Sequence, residues 1–153
     1  MEHLTDLRQQ TMIAATLVTR AYRRQADLAL ESCGVSEVMA WPVLVTGRRD
    51  GLRQVDLAEL LGVEGASLVR TLDRVEAAGL IERREHAPDR RAKTLHLTAP
   101  GRKLHARIEQ VLADLAEASF EGVSDADMEA CLRVFGQVEA SLIRQQRQAT
   151  EQE

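Results

Sequence analysis

Residues 4–31 contain no Gly or Pro, and Leu7, Ile13, Leu17, Val18, Ala21 and Leu28 recur at roughly helical spacing behind Thr5, a residue able to cap a helix. This predicts one long helix, ended by Cys33 and Gly34. Ser36 and Glu37 then open a second helix to about Arg48, with Pro42 inside it and expected to bend it. Asp50-Gly51 marks a turn and Leu52-Arg53 a short connecting segment. Gln54 to Leu61 carries Val55, Leu57, Ala58, Leu60 and Leu61 and reads as a compact helix stopped by Gly62. From about residue 64 to 78, Leu68, Val69, Leu72 and Val75 fall on one face of a further helix that Gly79 terminates. At about 100° per residue, Ser67, Arg70, Thr71 and Arg74 point away from that apolar stripe, toward solvent or a partner.

The period then changes. Ile81, Arg83 and Glu85, followed by alternation around Lys93, Leu95 and Leu97, predict two short strands joined by residues 87–92, a hairpin with a basic tip. Thr98 can cap another helix with Pro100 in its first turn, and Leu104, Ile108, Val111, Leu112 and Leu115 stripe it to about Ala118. Past Gly122, the capping-box-like Ser124 to Asp127 opens a last helix through Met128, Leu132, Phe135, Val138 and Leu142, followed by a polar tail over 144–153. The class is mainly α with a small β-wing: about six helices and two to three strands.

Composition narrows the chemistry. With 153 residues, one domain can bury a sizeable core without staples. Two cysteines, Cys33 and Cys131, make no disulfide framework and fit a reducing cytoplasm. No apolar run approaches the ~18 residues of a membrane span, and no export signal stands at the start. Aromatics are 3% of the chain, too few for a base-stacking platform. The four histidines lack paired metal-ligand spacing, no nucleophile and base recur together, and no phosphate-binding glycine loop is present, so neither metal, cofactor nor catalysis is expected.

Helix, tight turn, helix and hairpin is the order of a winged helix-turn-helix, in which the second helix enters the ~12 Å major groove of DNA. Periodicity alone would also fit an ordinary surface face of a helical bundle. The tip Asp89-Arg90-Arg91 tilts the balance, because an arginine on a short ribbon suits a narrow minor groove and has little folding value. Asp89 could hold its neighbour in register by a charge-assisted hydrogen bond.

The run from Ser67 to Asp73, then Gly79-Leu80-Ile81, Asp89-Arg90-Arg91-Ala92-Lys93 and Leu97-Thr98-Ala99-Pro100-Gly101, resembles the MarR family of bacterial regulators, and within it the SlyA-type branch. The resemblance covers residues 4 to about 147. It implies a single MarR-type domain over 1–153, with 4–50 and 99–147 forming a helical dimerisation region and 51–98 the winged helix-turn-helix. It further implies a homodimer on a pseudo-palindromic, often AT-rich, double-stranded operator. Apolar stripes on three terminal helices, more than one small winged domain can cover, point to a second chain independently.

On that plan Ser67, Arg70, Thr71 and Arg74 face the major groove. Arg91 and then Arg90 reach the minor groove, while Arg53, Gln54, Lys93 and Arg84 contact phosphates. The family commonly responds to small aromatic carboxylates or phenols, and the resemblance places Arg20, Trp41, Leu44 and Arg70 near the crevice that would take one. The competing function is a winged-helix module for protein docking or dimerisation without specific DNA binding. The net charge of −4, taken alone, argues against a nucleic-acid partner, yet residues 48–103 hold 12 Lys and Arg against 9 Asp and Glu, while the remainder holds 8 against 15. A basic winged region is thus averaged with an acidic scaffold.

Overall fold

The computed structural model describes residues 2–86 and 89–150. The first apolar-periodic stretch forms α1 (Glu2–Leu30), which begins before Thr5, the start expected from the sequence. A 3-10 turn at Glu31–Cys33 closes on Gly34. Next come α2 (Glu37–Arg48), β1 (Leu52–Arg53), α3 (Gln54–Leu61), α4 (Gly65–Ala77), β2 (Ile81–His86) and β3 (Asp89–Leu97), and finally α5 (Ala99–Ser119) and α6 (Asp125–Thr150). Among the described residues, six α-helices and a three-stranded antiparallel sheet of order β1-β3-β2 make up the fold. Among the described residues no single helix is long and apolar enough to cross a membrane.

Three boundaries differ from the sequence expectation. Leu52-Arg53 is a true edge strand, registered on Leu95 and Thr94 of β3, because backbone pairing needs no long alternation to announce it. The basic hairpin tip is shorter than expected: Asp89, Arg90 and Arg91 belong to β3, with the register shifting between Glu85, opposite Lys93, and His86, opposite Asp89. Ala87 and Pro88 of the expected connection lie outside the described residues. The polar tail is helical as far as Thr150, since Gln, Arg and Ala are strong helix formers even where no apolar stripe remains.

The chain divides into two units, Met1–Ala116 and Glu117–Glu153. In the first, one core joins Leu30, Val43 and Leu44 with Leu57, Leu68, Leu72 and Val75, the sheet residues Ile81 and Leu95, and Leu104 and Ile108 of α5. Each such side chain stabilises the fold by roughly 1.5–3 kcal/mol relative to exposure. Pro42 is buried and α2 runs through it. In the second unit the Ser124 hydroxyl accepts the Asp127 amide (3.2 Å) and donates to the Asp127 carboxylate (2.6 Å), which caps α6.

Candidate functional site

Helix α4 is held from beneath. Leu68, Leu72 and Val75 are at most 2% exposed, while Ser67, Arg70 and Arg74 on the opposite arc are exposed. The turn before it depends on Gly62, whose positive φ of 64° lets the chain reverse while the Val63 amide donates to the Ala58 carbonyl (3.1 Å). Thr71 is half-buried, and its hydroxyl donates back to the Ser67 carbonyl (3.2 Å).

Strand β2 grips the same helix. Arg83 Nη1 donates to Asp73 Oδ1 (2.7 Å) and Glu76 Oε2 (3.1 Å), and the Arg83 amide donates to Glu76 Oε1 (3.2 Å). The Arg83 side chain is 14% exposed, against 57% for Asp73. Arg83 enters the sequence pattern only as a strand position and Asp73 only as part of the Ser67 to Asp73 run, and nothing in that pattern pairs them.

The expected phosphate contacts are placed variously. Arg53, the residue before α3, makes two hydrogen bonds to Asp56 (2.6 and 2.8 Å), which hold the Asp56 carboxyl below its usual range and raise the arginine. Its guanidinium is therefore already engaged. Gln54 is half-buried at the first position of α3, Lys93 is exposed on β3, and Arg84 is hydrogen-bonded to Glu82. The side chains of Asp89, Arg90 and Arg91 lie outside the described residues.

A cavity of about 320 Å³ opens between α1, α2 and the turn into α4, lined among others by Arg23, Trp41, Pro42, Leu61, Ser67 and Thr71. Of the four residues expected around a ligand, Trp41 lines it and Arg20, Leu44 and Arg70 do not. Leu44 is 2% exposed and packs in the core, because it falls on the buried face of α2. Arg20 and Arg70 are exposed on α1 and α4. The cation at the cavity is Arg23, one turn beyond Arg20, with its guanidinium carbon 5.8 Å from the Trp41 ring centroid. Among the described residues, Trp41 Nε1 and Asp27 Oδ1 are buried without hydrogen-bond partners. Two of the expected DNA-facing residues, Ser67 and Thr71, thus also border the cavity.

The arrangement has relatives among known proteins. The MarR family model matches residues 38–92. A solved transcriptional regulator, PA3341, is 34% identical, with 88% of this chain and 98% of that one covered at a TM-score of 0.79. A MarR regulator from Methanosarcina mazei Go1 shares 18% identity, with coverages of 88% and 99% and a TM-score of 0.75. A MarR family regulator from Listeria monocytogenes, solved in complex with 26mer DNA, shares 15%, with coverages of 86% and 87% and a TM-score of 0.77. From α1 to α6 the chain carries the winged-helix architecture of these transcriptional regulators, and it belongs to the MarR family.

Proposed function

We propose that this chain is a dimeric, sequence-specific DNA-binding regulator of the SlyA-like branch, acting in the bacterial cytoplasm as a repressor that a small aromatic carboxylate or phenol releases, with no catalysis of its own. The observation that carries the reading is α4: a helix anchored on one face by Leu68, Leu72 and Val75 that offers Ser67, Arg70 and Arg74 on the other. Such a helix fits a major groove, where hydroxyl and guanidinium groups meet base edges and phosphates. Likeness to the Listeria regulator, solved with DNA, supports the same reading. Lys93 and the Arg90 and Arg91 of β3 supply the wing contacts, Arg91 foremost in the minor groove.

For the ligand, the support is the cavity beside α4. Trp41 offers a ring face, Arg23 a cation for a carboxylate, and a molecule lodged there would touch Ser67 and Thr71 of the helix that meets DNA. Release then follows from linkage: a ligand that binds better to the DNA-free arrangement lowers operator affinity by the same factor.

The test begins with selection of bound fragments from the source genome. A two-fold symmetric site is expected, with half-sites about one helical turn apart. On that site Arg91→Ala should cost about 1–3 kcal/mol with an unchanged melting curve. Equal affinities of wild type and variant would remove Arg91 from the wing role, and recovery of no enriched sequence would favour the docking module. Because Trp41 is the one tryptophan of the chain, its fluorescence reports the cavity directly. Salicylate, as a probe aromatic carboxylate, should quench it in wild type and quench it less in Arg23→Ala.

A further inference from the structure

Helix α4 carries two carboxylates beside the face assigned to DNA. Taking Leu72 as the inward direction and about 100° per residue, Asp73 stands on the flank of the helix beside Ala66 and Ala77 and only about 60° from Arg70, its neighbour three residues back, whereas Glu76 turns further inward, toward β2. Asp73 is also the more exposed of the two, 57% against 39%. A bare carboxylate there would repel the phosphates that Arg70 and Arg74 attract.

We infer that Arg83, shared between Asp73 and Glu76, offsets the Asp73 charge, so that β2 supplies the cation that makes the outer face of α4 compatible with DNA. The inference rests on the DNA-binding reading above. Arg83 Nη1 lies nearer to Asp73 than to Glu76 (2.7 and 3.1 Å), and the Arg83 side chain is only 14% exposed. Among the described residues its Nε is buried without a hydrogen-bond partner, while Nη2 reaches the Val69 carbonyl of α4 at 3.5 Å, so the group is placed for this helix at the expense of one donor. Arg83 differs in this from Arg53 and Arg84: its partner stands on the helix that faces the groove, and the residue acts through Asp73 without touching the nucleic acid.

The experiment titrates wild type, Asp73→Asn, Arg83→Met and the double variant against a mixed-sequence duplex of about 30 base pairs, long enough for both half-sites. Near 0.1 M salt, exposing one charge next to phosphate corresponds to about a tenfold change, since each phosphate interaction contributes about 0.9 to the salt slope. Arg83→Met should weaken binding about tenfold, and adding Asp73→Asn should restore most of it. Asp73→Asn alone should stay within about twofold of wild type, the tolerance for changes that do not couple.

A double variant as weak as Arg83→Met would overturn the inference, because loss of support for α4 is not repaired by removing an acid. If Arg83→Met melts too low to titrate, Asp73→Asn alone decides: tighter binding by about tenfold means that the carboxylate was never masked. Absence of wild-type binding to any duplex at low salt would instead overturn the DNA-binding reading on which the inference stands.

Discussion

Gly101 has no room for a side chain, since an added Cβ would lie 1.8 Å from the Leu80 carbonyl oxygen. That contact gives physical content to Leu97-Thr98-Ala99-Pro100-Gly101. The Thr98 amide donates to the same carbonyl (3.1 Å), its hydroxyl donates to the Gly79 carbonyl (2.5 Å), and the hydroxyl accepts the Gly101 amide (3.0 Å) as the cap of α5. One turn therefore fastens the start of α5 to the chain leaving α4. Gly101→Ala should push two backbones apart and cost about 3 kcal/mol, at the upper end of overpacking. Gly65→Ala, with open space around it, should stay within about 0.5 kcal/mol. Urea melts of both variants check this, and equal midpoints would mean that the Leu80 turn yields freely.

Helices α2 and α5 are tied by Arg48 and Glu109, whose two hydrogen bonds measure 2.7 and 2.9 Å. The guanidinium holds the Glu109 carboxyl below its usual range, with burial opposing and the Arg48 charge reinforcing. A carboxylate whose folded pKa lies under its unfolded value of about 4.3 contributes stability in full above that value and loses it as pH falls through the folded one. Glu109→Gln should therefore flatten the acid limb of a stability-against-pH profile below about pH 4.3. With the pair partly exposed, the effect at neutral pH should be below about 1 kcal/mol. Superimposable acid limbs would mean that the pair contributes nothing. This tie marks where the sequence stopped being informative. Elements with a strong apolar period, such as Gln54 to Leu61 and the stripe of α4, are legible because burial writes itself at helical spacing. Pairings between residues 61 apart, such as Arg48 with Glu109, leave no such period, and neither does the choice of Arg23 over Arg20 to meet Trp41. Leu44 illustrates the same limit, since an apolar helix residue looks alike to a cavity and to a core.

At the scale of the molecule, large apolar side chains stay exposed along two helices. On α1, Ile13, Leu17 and Val18 are 60%, 59% and 65% exposed, and on α6, taken by itself, Leu132 and Leu142 are 74% and 53% exposed. Monomeric proteins scatter such residues singly, whereas a stripe repeating along one helix marks a contact surface. The proposed dimer is the economical cover. In sequence, the acidic remainder of the chain flanks a basic winged region, and that division would favour phosphates at the winged region over the rest. Leu17→Glu places a charge in the middle of the α1 stripe, where burial against a second chain would leave it unpaired. It should weaken association by at least about 2 kcal/mol, the level of an interface hot spot. Sedimentation at micromolar concentration should then show a dimer for wild type and a monomer for the variant, with the circular dichroism of the helices largely kept. Operator binding should fall with it, because two recognition helices on one rigid dimer reach both half-sites in a single event, while separate chains must each bind alone. A variant that stays dimeric would place the interface elsewhere than on α1, and a monomeric wild type that still binds a two-fold site tightly would separate DNA recognition from dimerisation altogether.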